Sequence, residues 1–316
     1  MTPKRGVSAG MAELTRTPLK RGYIIDGYRI EKVIGGGGFS LVYLAYSIRT
    51  KAKVVIKEYF PEHLVDRIPG GRVITRTEKD NFPYTLGIKR FFQEASALSH
   101  LKHPNIVNVS NFFRLNNTVY MVMDYAHGRD LRWFIKRAKG SMSERFMLSV
   151  FPHVLAGLSE LHSHHFLHLD VKPANILLRA DAPPLLLDFG AVQQMQEGTR
   201  YAGVQTLTHG FAPLEQYEEG DMGPWSDLYA VGATMYTCVT GRAPAPAPER
   251  RKKDSLASVS RNYSRRYSKQ LLMAIEWALE LDYRYRPQDV QSFVRLVLDG
   301  QPETWIQESW KAVGAN

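Results

Sequence analysis

The sequence predicts an α+β fold in two lobes, a small β-rich N-lobe followed by a larger α-helical C-lobe. Three observations carry that prediction. The chain has 316 residues, more than one compact core ordinarily holds. From Tyr28 to Met123 the apolar residues are β-branched and aromatic, interrupted by glycine and asparagine turns. After Gly128 the apolar spacing becomes that of amphipathic helices.

Residues 1–22 hold few large apolar side chains and are expected to form a disordered basic tail. The N-lobe is placed at 23–124. Residues 28–57 read as a strand, a glycine turn, a second strand, and a third ending at Ile56-Lys57. Residues 59–82 read as an irregular excursion with a turn at Pro69-Gly70-Gly71. Leu86, Phe91, Ala95, Leu98 and Leu101 predict an amphipathic helix over 86–101. Two strands follow, 106–113 and 119–123, divided by Asn116-Asn117. The C-lobe is placed at 125–298, with helices over 130–138, 143–163, 225–240, 268–281 and 287–298 and short strands at 176–178 and 185–187. Residues 299–316 are a C-terminal extension. Ile306, Trp310 and Val313 form a helical stripe there that could pack on the larger lobe or meet a partner.

A hydrophobic content of 44% and a charged content of 23% describe a soluble globular protein. The single cysteine, Cys238, excludes an intrachain disulfide and fits a reducing, cytoplasmic location. It lies in an apolar helical stretch, where a buried inert thiol is expected. No apolar run is long enough to cross a bilayer, so no transmembrane segment is expected. The net charge is +10. Residues 1–22 carry five bases and one acid, and residues 249–270 carry eight bases and two acids. These two clusters account for the whole net charge. Neither resembles the basic folded face of a nucleic-acid-binding domain, so no nucleic acid is expected. The second cluster, read as a loop-rich segment, is either solvated charge or a dock for an acidic partner.

The densest chemistry lies at His168-Leu169-Asp170-Val171-Lys172-Pro173-Ala174-Asn175. A carboxylate, an amine two residues on and an amide five residues on share one short segment. Asp188 follows Asn175 by thirteen residues, after an apolar strand, in Asp188-Phe189-Gly190. Two oxygen donors so placed suggest a metal-held triphosphate with an acceptor hydroxyl beside it. Upstream, Gly35-Gly36-Gly37-Gly38-Phe39-Ser40-Leu41-Val42 lies between two strands. Glycines let backbone N–H groups approach phosphate oxygens, although four in a row also suit a flexible hairpin.

This order of motifs resembles the protein kinases, and residues 24–298 are similar to a complete kinase domain of the bacterial, eukaryotic-like Ser/Thr type. The resemblance implies ATP and Mg²⁺ as cofactors, with Mn²⁺ as an alternative metal. Asp170 would orient the acceptor hydroxyl or take its proton, and Lys172 would neutralise the γ-phosphate. Asn175 and Asp188 would hold the metal. Val54-Val55-Ile56-Lys57 resembles the strand that presents the phosphate-binding lysine, with Glu94 holding Lys57 extended. Gly35, Gly36, Gly37, Gly38, Phe39 and Ser40 would cover the phosphates, Ser40 standing where a third glycine is usual. Adenine would lie among Ile34, Val42, Val55, Leu177 and Met123, with hinge backbone from Asp124 and Ala126, and Asp130 would bond the ribose.

Residues 208–215 resemble the end of an activation segment. Thr208 would bridge Asp170 and Lys172, which favours Ser/Thr substrates. Glu215 would pair with Arg286, and Asp227 would brace the catalytic loop. Leu169 stands where many kinases carry an arginine that binds a phosphate on the activation segment, a segment that here contains Thr199, Thr206 and Thr208. His168 would pack near the metal-binding Asp188. His162, His164 and His165 are read as a helix end and its turn, because no cysteine partners accompany them.

The leading reading is an ATP-dependent protein Ser/Thr kinase that acts on protein substrates, itself included. A catalytically silent nucleotide-binding scaffold is the alternative from another class. Lys57, Asp170 and Asp188 speak against it. A small-molecule phosphotransferase of the same fold is a third reading, and it would need neither Lys172-Pro173 nor Thr208.

Overall fold

The strands on either side of the glycine cluster pair as expected and start a six-stranded antiparallel sheet. This computed structural model describes residues 17–139, 142–189, 193–194 and 207–301. The chain divides into two compact units. The first holds residues up to Ser99 together with Val109–Tyr125, and the second holds His100–Asn108 and the chain from Ala126 onward.

In the first unit β1 (Ile24–Ile25), β2 (Tyr28–Gly37), β3 (Ser40–Ser47) and β4 (Lys53–Tyr59) follow in order. Next come β5 (Val65–Arg67), β6 (Val73–Thr75), helix α1 (Asn81–Ser99), β7 (Val109–Leu115) and β8 (Thr118–Asp124). The large sheet runs β1-β2-β3-β4-β8-β7. Its buried apolar residues include Tyr43, Ile56, Tyr120 and Val122, and the inner strand β8 is buried continuously from Thr118 to Met123.

Three expectations change here. Residues 17–22 are not part of a disordered tail. Leu19 is buried, its N–H donates to the Tyr43 hydroxyl at 3.1 Å, and Arg67 Nε donates to the Thr17 carbonyl at 2.8 Å. The excursion at 59–82 is not irregular throughout, because β5 and β6 form a hairpin within it. That hairpin is anchored by a charge, which an apolar periodicity does not reveal. Arg67 donates to Glu58 Oε2 at 2.5 Å, and the fully buried Glu58 also accepts from Tyr43 (2.7 Å) and Tyr120 (2.6 Å). Burial and the Glu58 carboxylate push both phenols well above the ordinary tyrosine range. Helix α1, finally, begins at Asn81 instead of 86. A capping box at Thr77 and Asp80 precedes it, and Pro83 falls in the first turn, where no intrahelical bond needs its missing N–H donor.

The second unit contains β9 (Arg129–Asp130), α2 (Leu131–Arg137), α3 (Glu144–Ser163), β10 (Phe166–Leu167), β11 (Ile176–Leu178), β12 (Leu185–Leu186) and β13 (Gln193–Gln194). Helices α4 (Leu214–Tyr217), α5 (Pro224–Thr240), α6 (Ala247–Lys252), α7 (Val259–Tyr263), α8 (Lys269–Ala278) and α9 (Val290–Leu298) follow. Ser143, Ser268 and Asp289 cap α3, α8 and α9 by accepting from N–H groups three residues on. Helix α5 is apolar around most of its circumference and is buried accordingly, packing against α3, α8 and α9. Cys238 lies on it, and burial pushes its thiol far above the usual range, as suits an inert residue.

The strand expected at 106–113 starts only at Val109. Ile106 instead bridges Leu186 in parallel, and Val107 N donates to the Leu186 carbonyl, so this stretch belongs to the second unit.

The basic cluster 249–270 is only in part the loop expected of it, although its bases other than Arg250 are exposed. It holds α6 and α7, and Arg250 is buried. Its guanidinium grips Asp254 at 2.9 Å, the Leu279 carbonyl at 2.9 Å and the Tyr229 hydroxyl at 3.2 Å. Arg251 pairs with Glu218. Linear charge counting cannot distinguish such structural arginines from free ones. Ile306, Trp310 and Val313 lie outside the described residues.

Candidate active site

In the first unit Gly35, Gly36 and Gly37 of β2 pair with Val42, Leu41 and Ser40 of β3, so the glycine cluster forms the tip of a hairpin. Gly36 has φ +148°, a conformation that a residue with a side chain rarely adopts. Gly38 and Phe39 make the turn. It is tied down by Phe60 N on the Phe39 carbonyl (2.9 Å) and Glu62 N on the Gly38 carbonyl (3.0 Å). Antiparallel register puts Val42 opposite Lys57 and Val55 opposite Met123. Residues two apart on a strand share a face, so Val42, Val55, Lys57 and Met123 lie on one side of the sheet. Ile34, on β2, is exposed, and Asp124 ends β8.

Lys57 and Glu94 are both buried, with Nζ 3.5 Å from Oε1, and the ammonium lies 5.5 Å from the centre of the Phe91 ring. Helix α1 reaches β4 closely enough for this pair because Gly87 has no Cβ. A Cβ there would come 1.8 Å from the Tyr59 hydroxyl.

The second unit holds the loop residues. Asp170, Lys172, Asn175 and Thr208 form one hydrogen-bonded group. Lys172 Nζ lies 2.7 Å from Asp170 Oδ2 and 2.9 Å from Oδ1. The Thr208 hydroxyl donates to Asp170 Oδ1 at 2.7 Å and accepts from Lys172 at 2.9 Å. Asn175 Nδ2 donates to the Asp170 carbonyl (2.9 Å) and to Oδ2 (3.0 Å). With its N–H₂ committed in this way, the amide oxygen of Asn175 is the atom left to face a cation. Asp188 follows β12 with φ +57°. An amide oxygen and a carboxylate are hard donors, a set that fits Mg²⁺. Asp130 caps α2, accepting from Trp133 N at 3.0 Å, and pairs across β9–β11 with Leu177; Ala126 is half-buried.

A deeper layer holds the loop in place. Asp227 on α5 is fully buried and accepts three hydrogen bonds, from Leu169 N (2.7 Å), His168 N (2.9 Å) and His162 Nε2 (2.8 Å). Burial pushes its pKa up, but the His162 hydrogen bond and the surrounding positive charge win, and the carboxyl lies below its ordinary range. Gln216 Nε2 donates to the Leu169 carbonyl at 3.0 Å. His168 accepts from Asp170 N at Nδ1 (3.3 Å), donates from Nε2 to the Leu187 carbonyl (3.3 Å), and packs on Phe189 with ring centres 4.9 Å apart. Leu169 is buried in an apolar cluster with Leu167 and Met222. Glu215 meets Arg286 at 2.7 and 3.1 Å, and Ser226 donates to it at 2.8 Å.

Two of these residues escaped the sequence reading. The sequence marks His162 only as part of a helix end and gives Gln216 no role. No sequence signal marks either one, because each acts on a partner more than forty residues away. Gly190 of the Asp-Phe-Gly motif, and the activation-segment threonines Thr199 and Thr206, lie outside the described residues.

A β-rich unit with a buried lysine–glutamate pair, and a helical unit presenting Asp170, Lys172, Asn175 and Asp188, define the kinase fold. The chain belongs to the protein kinase domain family, whose model matches residues 28–304. It is of the bacterial, eukaryotic-like Ser/Thr type that the loop residues resemble. Among curated proteins it is similar to the serine/threonine-protein kinase PLK4 of Drosophila yakuba. The two are 29% identical over 223 residues, which is 71% of this chain and 27% of that protein. The chain thus spans about a quarter of the length of the curated relatives it matches. Among solved structures it is similar to the apo form of PpkA-294, with a TM-score of 0.78 and 30% identity over 89% of this chain and 99% of that one. The kinase domain of Mycobacterium tuberculosis PknI shares the fold at 20% identity, with a TM-score of 0.66 over 89% of this chain and 98% of that one.

Proposed function

We propose that this chain transfers the γ-phosphoryl group of Mg-ATP to Ser or Thr hydroxyls of protein substrates, including its own. The observation that carries the reading is the group formed by Asp170, Lys172, Thr208 and Asn175. Asp170 Oδ1 already accepts from one threonine hydroxyl at 2.7 Å, and an aliphatic acceptor hydroxyl would be oriented in the same manner. Lys172, held between Asp170 and Thr208, supplies positive charge as charge shifts onto the transferring group.

Each unit supplies part of the nucleotide-binding set. From the first come Lys57, held by Glu94, the glycine hairpin, and the apolar face of Val42, Val55 and Met123 with Ile34. From the second come Asn175 and Asp188 for the metal, Asp130 for the ribose and Leu177 for the base, with Asp124 and Ala126 supplying linker backbone. Bound Mg²⁺ would neutralise phosphate charge.

The test offers Mg-ATP with peptides bearing a single Ser, Thr or Tyr, and with small hydroxyl compounds, to wild-type protein and to Asp170→Asn. Phosphorylation of the Ser and Thr peptides, lost in the variant, is expected. Transfer only to small compounds, or to none, would overturn the reading.

A further inference from the structure

We propose that the exposed face of α2 docks an acidic stretch of the protein substrate. This rests on the kinase reading and adds a substrate class to it. Residues 127–139 include Arg129, Arg132, Lys136, Arg137 and Lys139, all exposed, against one acid, Asp130. Asp130 is already committed to capping α2 and to Arg132, at 2.8 Å. Among the described residues, none of Arg129, Lys136, Arg137 and Lys139 has a carboxylate partner. Four uncompensated cations on one short segment repel each other, and an anionic partner would relieve that repulsion.

A second observation sharpens the surface. Trp133, an expensive side chain to leave in water, is 41% exposed at the middle of this face. The guanidiniums of Arg129 and Arg137 lie 6.0 and 5.3 Å from its ring. Cation–π contact restrains both arginines and leaves their N–H donors available to carboxylates. An indole between arginines is also the composition favoured at protein–protein hot spots.

Position ties the surface to the chemistry. α2 packs against the 3-10 turn Pro173–Asn175, which carries Asn175. A chain held on α2 therefore lies beside the loop that carries Asp170. In the cluster at 249–270, by contrast, Arg250 is buried and Arg251 is paired with Glu218.

The experiment compares one Ser acceptor peptide with the same peptide carrying an appended glutamate run. Wild type is compared with Lys136→Gln/Arg137→Gln and with Trp133→Ala. In wild type the tailed peptide should have a KM roughly tenfold lower at low salt, with kcat unchanged and the advantage fading as salt rises. Both variants should raise the tailed KM towards the untailed value and leave the untailed peptide unaffected. Equal KM values in wild type, or variants that raise both equally, would overturn docking. Binding of a fluorescent tailed peptide, measured without ATP, separates the two readings. Binding that is lost in the variants, without phosphorylation of either peptide, would support the dock and sink the kinase reading. Binding to phosphatidylserine vesicles but not to the peptide would overturn the proposal in favour of a lipid surface.

Discussion

Asp227 holds Leu169 in a backbone conformation that leucine does not favour. Its Oδ1 accepts from Leu169 N at 2.7 Å, and Leu169 has φ +59°. Such a geometry persists where surrounding structure over-determines it, here through Asp227 on the N–H and Gln216 on the carbonyl. The strained residue immediately precedes Asp170, so the brace aims the carboxylate.

Asp227→Asn puts an N–H₂ group among three N–H donors. Its expected cost is about 3 kcal/mol of stability, the scale for breaking a buried charged cluster. The pH dependence follows from the folded pKa, which is lowered despite burial through the bond to His162. A depressed carboxyl stabilises fully above its unfolded value and loses that contribution as pH falls through the folded one. Urea unfolding of wild type and variant should therefore show a gap that is complete at neutral pH and closes in acid. A gap independent of pH would contradict this account.

Thr208 bridges the two charged loop residues, and its methyl group is incidental to that. Thr208→Val should lower kcat at least tenfold, about 1.4 kcal/mol in the barrier. Thr208→Ser keeps the hydroxyl and should retain most of the rate. Steady-state kinetics on one peptide decides, and equal losses in both variants would remove the bridge from the mechanism.

Asp188 stands at φ +57°, a conformation asparagine tolerates well. Asp188→Asn should abolish phosphotransfer and weaken Mg-dependent nucleotide binding with little change in Tm. Lys57→Met should likewise abolish transfer. Titration of fluorescent nucleotide with and without Mg²⁺ measures the effect, and unchanged metal-dependent affinity in the Asp188 variant would refute its assignment.

Leu169 has no donor for a phosphate and is packed with Leu167 and Met222. Phosphorylation of Thr199 or Thr206 is therefore expected not to be the main activating event. Thr199→Ala with Thr206→Ala should keep most of the rate of dephosphorylated wild type. A drop of tenfold or more, with activity of the wild type restored by rephosphorylation, would show that another basic residue replaces the missing arginine.

The sequence by itself determined the order of elements and the chemical set at the site. Strands show as β-branched and aromatic runs between turns, helices as 3.6-residue apolar spacing, and the loop from His168 to Asn175 is contiguous. Each of these signals is local. Only the tertiary structure decided which charges are free. Arg250 and Lys136 look alike in a linear count, yet one is buried against Asp254 and Tyr229 and the other stands exposed on α2. The same holds for Glu58 and Tyr120, and for His162 and Asp227, pairs that meet across the chain. A buried charge is stable only beside its partner, and that partner is set by packing between distant segments, which no local pattern records.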